Sequence, residues 1–208
     1  MSIKCIKYCV RIIAVLVCAT TYINVAQAKH LMVYGDSLSA AYGLELNQGW
    51  VSLLAEDLGA NHQVSNASIS GETSIGGLAR LPETLRQLNP DIVFIELGAN
   101  DGLRGYPIAR IKQNIGTMID LVKASNAQAV LAGISIPASY GPRYVDQFRS
   151  LYIQLAEEHE IPFINLYLEE FVTTPGLIQA DGLHPTAIGQ PLIRDSVISF
   201  FSQLEILD

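Results

Sequence analysis

The chain has 208 residues, half of them apolar (50%), with 13 basic against 20 acidic side chains and a formal charge of −7. An acidic chain without a basic tract has no electrostatic footprint for nucleic acid and gains nothing from an anionic membrane surface. The balance fits small-molecule partners and signals no obligate protein partner.

The first 28 residues read as a secretory signal peptide. Lys4, Lys7 and Arg11 give a basic start, residues 12–19 an apolar run, and Ala26-Gln27-Ala28 the small-x-small pattern of a cleavage site. The apolar run falls well short of the roughly 20 residues that cross a bilayer, so no stable membrane anchor is expected. Cleavage after Ala28 leaves residues 29–208 as a single domain, with ten basic residues against the same twenty acidic ones. Export places such a domain in the periplasm or outside the cell. Cys5, Cys9 and Cys18 all lie in the removed segment. The mature domain therefore has no disulfide, and cysteine catalysis and thiolate-bound metals are excluded.

Along the mature chain, strand signals alternate with helix signals. Leu31 to Tyr34 reads as a first buried strand, Val64 to Ala67 as a weaker second, and Ile92 to Leu97 as a strong third. Ala129 to Ile134 and Phe163 to Leu166 are the fourth and fifth. Between them the apolar period becomes helical: Leu78, Leu81, Leu85 and Leu88; then Ile108, Ile111, Ile115, Met118 and Val122; then Val145, Phe148, Leu151, Tyr152 and Leu155. Residues 186–204 are expected to form a closing helix with Ile188, Leu192, Phe200 and Leu204 inward. This alternation implies βαβ units. The expected fold class is α/β, a three-layer α/β/α arrangement with a doubly wound, five-stranded parallel sheet in flavodoxin-like order. Ligands of such sheets bind beyond the carboxyl ends of the strands.

Four polar segments fall at that edge: Gly35 to Ser39, Ser68 to Thr73, Gly98 to Gly102, and Asp181 to Pro185. Together they supply what acyl transfer needs. Ser37, expected at a strand-to-helix turn where a helix N-terminus favours negative charge, can be a nucleophile if a base takes its proton. His184 is the candidate base, and Asp181, three residues earlier, can reach back to orient its ring. Gly71 lets a backbone N–H approach substrate without a Cβ, and Asn100 offers a side-chain amide. The Ser37 N–H, the Gly71 N–H and the Asn100 amide would make a three-donor oxyanion hole. Asp36 is expected to brace the turn, and Asp101 is the rival acid to Asp181. Ser39 and Ser70 are read as loop hydrogen-bonding residues, and His30, His62 and His159 as surface residues.

Gly35-Asp36-Ser37-Leu38, Gly71, Gly98-x-Asn100-Asp101 and Asp181-x-x-His184-Pro185 resemble the four motif blocks of the SGNH (GDSL) hydrolase family. The segments 66–74, 77–82, 100–105 and 137–141 are similar to its bacterial periplasmic multifunctional esterases in particular. The resemblance covers essentially the whole mature chain. It implies a serine hydrolase acting on carboxylic esters and thioesters, among them acyl-CoA thioesters, lysophospholipids and aryl esters. It implies an acyl-enzyme on Ser37, with Asp181 and His184 as triad partners, Gly71 and Asn100 as oxyanion donors, and neither cofactor nor metal. A flavin-phosphate module would have no use for Asp181, His184 or Asn100, and a non-catalytic carrier should lack a triad member. There is no Gly-x-Ser-x-Gly elbow of an α/β-hydrolase, and no His/Cys spacing of a metal site.

Overall fold

The computed structural model describes residues 28–166, 168–205 and 207, so the expected signal peptide up to Gln27 lies outside the described residues. Five strands, β1 (His30–Gly35), β2 (Gln63–Asn66), β3 (Ile92–Glu96), β4 (Gln128–Gly133) and β5 (Phe163–Asn165), form one sheet in the order β2-β1-β3-β4-β5. Every pairing is parallel. This is the doubly wound, flavodoxin-like order, reversing direction between β1 and β3.

The two faces follow from alternation along each strand. Met32 and Tyr34 of β1, with Val93 and Ile95 of β3, pack against α2 (Ser74–Leu88), α4 (Ile108–Ala124) and α5 (Pro142–His159). Leu31 and Val33, with Ile92 and Phe94, pack against α1 (Trp50–Leu58) and α7 (Gln190–Gln203). The helix periods expected from Leu81 and Leu85, from Ile111 to Val122, and from Val145 to Leu155 are the buried faces of α2, α4 and α5. Each such side chain removed from water contributes about 1.5–3 kcal/mol, and that burial makes a domain without disulfides feasible.

Four features differ from expectation. The closing helix begins at Gln190, because Thr186 to Gly189 forms a turn in which the Gly189 N–H donates to the Thr186 carbonyl at 3.0 Å. Its inward stripe is Ile193, Val197 and Phe201, whereas Ile188, Leu192 and Leu204 are exposed. Two apolar stripes lie one residue apart on this helix, and docking against α1 and the sheet selects one of them. The second difference is α1, whose Trp50, Val51 and Leu54 cover the sheet although no helix was expected there. The third concerns Ser37. No helix follows β1 directly; residues 37–43 form successive turns, and α1 starts only at Trp50. The short helices α3 (Ala99–Leu103) and α6 (Glu169–Thr173), also unforeseen, lie in connections at the carboxyl edge.

Candidate active site

Burial of β1 and β3 carries two segments to the same edge, and the turns after them decide what each side chain faces. The Asp36 carbonyl accepts the Ala40 N–H at 3.0 Å and the Ser37 carbonyl accepts the Tyr42 N–H at 3.2 Å, coiling the chain so that Ser37 stays half-buried at the cleft. Without a helix N-terminus here, the dipole argument for Ser37 does not apply. Positioning comes instead from these turn bonds and from Asp36, whose Oδ1 accepts the Leu38 N–H at 3.3 Å.

The segment before α7 supplies the partners. The Gln179 N–H donates to the His184 carbonyl at 2.8 Å, and Ile178 bridges Pro185 antiparallel, closing a tight loop whose tip, Gly182, has φ +73°. Within the loop, Asp181 Oδ1 accepts the N–H groups of Leu183 and His184 at 2.9 and 3.0 Å. Asp181 Oδ2 lies 2.7 Å from His184 Nδ1, and His184 Nε2 lies 2.8 Å from Ser37 Oγ. Burial alone would raise the Asp181 carboxyl, but the two N–H donors and the imidazole outweigh it and hold the carboxyl down at about 2. An ionised carboxylate can only accept, so Nδ1 carries the imidazole proton and Nε2 faces the Ser37 hydroxyl as acceptor. The sequence-expected trio is thus one continuous chain of contacts.

The other two expected oxyanion donors lie in two further segments, after β2 and after β3. Gly71 has φ +80°, a conformation that favours glycine, and a Cβ there would touch nothing within 4 Å. The constraint visible at Gly71 is therefore its backbone conformation and not crowding. Its N–H makes no hydrogen bond among the described residues. Asn100, in the first turn of α3, donates one Nδ2 hydrogen to Asp36 Oδ2 at 3.1 Å, which orients the amide and leaves its second hydrogen unused by this contact.

Asp101 is buried with a different task. It accepts the Ser74 N–H at 2.7 Å and the Ser74 hydroxyl at 2.6 Å, clamping the Gly71 loop to α3, and it makes no hydrogen bond to His184. It ties the segment after β2 to α3, so the rivalry with Asp181 ends on geometry. Asp36 braces the turn as expected, and Ser39 is a buried hydrogen-bonding residue. Ser70 is exposed. The other histidines are half-buried and partnered. His30 Nε2 lies 2.8 Å from Ser65 Oγ, the Lys29 N–H donates to His62 Nδ1 at 3.2 Å, and His159 faces Asp120 at 3.3 Å, all remote from Ser37 in the sheet. The reading of them as plain surface residues is corrected by these contacts.

Beside Ser37 opens a cavity of about 200 Å³. Leu38, Leu103, Ile134, Ile136, Leu168 and Leu183 give it apolar lining, and Asp36, Glu96, Asn100 and His184 line it too. Three features of the site were missed in the sequence. Tyr42 lies against the His184 ring, centroids 4.4 Å apart, and Gln179 donates to both the Tyr42 and Pro185 carbonyls at 2.8 and 2.9 Å. Neither has a spacing signal. Glu96 has one, as the single charged residue in the apolar run of β3. Among the described residues no group of His, Cys, Asp or Glu could hold a metal ion, and no helix is long and apolar enough to cross a membrane.

A five-stranded parallel α/β/α sheet with a serine, an imidazole and a carboxylate in line at its carboxyl edge defines a hydrolase of the acyl-transfer type. The chain belongs to the GDSL-like Lipase/Acylhydrolase family, whose sequence profile matches residues 33–192. It is 45% identical over 175 residues to Esterase TesA of Pseudomonas aeruginosa, covering 83% of this chain and 87% of that protein. It is 43% identical over 170 residues to Thioesterase 1/protease 1/lysophospholipase L1 of Escherichia coli, covering 82% of each. Among solved structures it resembles the psychrotrophic esterase EstA from Pseudoalteromonas sp., in a form inhibited by monoethylphosphonate. There the TM-score is 0.81 at 41% identity, over 85% of this chain and 98% of that one.

Proposed function

We propose that this enzyme hydrolyses carboxylic esters and thioesters through an acyl-enzyme on Ser37. The observation that carries the reading is the unbroken contact chain from Asp181 through His184 to Ser37, at 2.7 and 2.8 Å. His184 Nε2 takes the Ser37 proton as Oγ attacks the acyl carbon, and Asp181 stabilises the imidazolium that forms. The oxygen that gains charge is met by the Ser37 N–H, the Gly71 N–H and the Asn100 amide. As the tetrahedral intermediate collapses, His184 returns the proton to the departing alkoxide or thiolate. Water then attacks the acyl-enzyme, giving its proton to His184, and the acid leaves as Ser37 recovers its hydroxyl.

The apolar walls of the 200 Å³ cavity suit the hydrocarbon of an acyl group, with the leaving group on the open side. The names of the two relatives, an esterase and a thioesterase 1/protease 1/lysophospholipase L1, support oxygen esters, thioesters and lysophospholipids as substrates. The acidic balance and the basic-apolar-small pattern of residues 1–28 support export with cleavage after Ala28 and a periplasmic or secreted site of action. No cofactor or metal enters the mechanism.

The test is turnover of one aryl ester and one acyl thioester by wild type and Ser37→Ala. The variant removes a single half-buried hydroxyl, so its melting curve should match wild type while turnover falls by about 10⁶. A folded variant that retained either activity would remove Ser37 from the reaction.

A further inference from the structure

Two carboxyls, Asp36 and Glu96, lie fully buried side by side under the nucleophile turn. Their surroundings differ in a way that sorts a charge between them. Asp36 has a donor on each oxygen, the Leu38 N–H on Oδ1 and the Asn100 amide on Oδ2. On Glu96, Oε2 accepts the Ser39 hydroxyl at 2.7 Å and the Asp36 N–H at a long 3.5 Å. Its Oε1 is buried without a hydrogen-bond partner among the described residues. A carboxylate spreads its charge over both oxygens and needs donors at both, and a buried charge lacking them is strongly unfavourable.

We propose that Glu96 is a positioning residue that stands as the neutral acid, so that the buried pair carries one negative charge, on Asp36, where it holds Asn100. This rests on the proposed triad and deepens it: the site's oxyanion donor is aimed by a charge that Glu96 must not share. One further group acting on the pair agrees with this placement. His184, from the loop before α7, draws charge toward Asp36. From β1, Gly35 makes room, since a Cβ there would lie 2.6 Å from Glu96 Oε2. Burial, followed by the Asp36 charge, raises the Glu96 carboxyl well above the usual range, and burial raises Asp36 to about 6.

A second charge, left on Glu96 when its proton is lost to solvent, would oppose the oxyanion forming beside it. Activity should therefore fall on the alkaline side as Glu96 ionises. Glu96→Gln is permanently neutral and keeps an oxygen for Ser39, so it should lose that alkaline limb. Glu96→Ala leaves Ser39 without its acceptor and should lower kcat about tenfold with little change in KM, and Glu96→Gln should recover most of that loss at neutral pH.

The direct readout needs no turnover. In full-length mature enzyme carrying ¹³C at glutamate carboxyls, the resonance absent from Glu96→Gln is assigned to Glu96 and followed with pH. A midpoint well above the ordinary carboxylate range is expected for a neutral buried acid. A midpoint in the ordinary carboxylate range, or an alkaline limb unchanged in Glu96→Gln, overturns the proposal. Loss of the triad reading would show separately, as turnover surviving in Ser37→Ala.

Discussion

Two acid-bearing regions meet at Ser37, and they treat the same functional group in opposite ways. Asp181 sits on an exposed loop and owes its low pKa to three hydrogen bonds made within four residues. Asp36, just after β1, and Glu96, at the end of β3, lie in the interior, where burial dominates and the carboxyls are pushed up. The lesson is that donor count, more than proximity to the base, decides which acid is charged. The acid that stabilises a transient imidazolium must be ionised throughout. The loop keeps it so because its hydrogen-bond donors outweigh desolvation, while the interior stores fixed geometry.

Changing each region in turn breaks or sharpens this contrast. Asp181→Asn keeps the loop's shape but cannot enforce the Nδ1–H tautomer, so kcat should drop by about 10⁴, measured on a soluble ester. Asn100→Ala removes a donor whose bond strengthens as the oxyanion forms, so kcat should fall about 10²–10³ with KM nearly constant. Were Asn100 only shaping α3, the folded variant would instead turn over normally with a lowered melting temperature. Asp101→Ala should act on stability, leaving the Ser74 N–H unpaired in the interior at a cost of about 1–3 kcal/mol in denaturant unfolding.

The smallest effect is on stability against pH. Folding raises the Glu96 carboxyl above its ordinary 4.5, so the folded state binds the extra proton and stability falls as pH climbs from 4.5 through the raised value. Asp181 runs the other way: its contribution is present above 3.8 and is lost as pH falls through about 2. Glu96→Gln should therefore flatten the decline in melting temperature on the alkaline side and leave the acid side unchanged. An unchanged alkaline slope would mean that Glu96 titrates alike in both states.

Much of this site is legible in the sequence because acyl transfer demands particular side chains and the parallel sheet fixes where they gather. The strand runs from Leu31, Ile92 and Ala129 need only burial and alternation, and Asp181-x-x-His184 closes within one loop. What stays illegible depends on packing partners. The phase of α7 is a choice between adjacent apolar stripes, made by α1, which itself carries only Trp50, Val51 and Leu54 as a short signal. Ser37 lies on a run of turns and not at a helix start, because the bonds from Ala40 and Tyr42 form instead. The contact of Tyr42 with His184 spans a loop and a distant segment, which no local pattern encodes. Glu96 was visible as an acid inside an apolar strand, but its meaning required seeing which of its oxygens lacks a donor.

The central claim is that Ser37 is the hydroxyl activated by His184, and covalent trapping tests it most directly. Mature enzyme would be treated with an alkyl phosphonate, the inhibitor class present in the related EstA structure, then digested and mapped by mass spectrometry. One adduct per chain on Ser37, lost in His184→Ala, is the predicted result; an adduct on Ser39 or Ser70, or labelling of Ser37 that persists without His184, would contradict it.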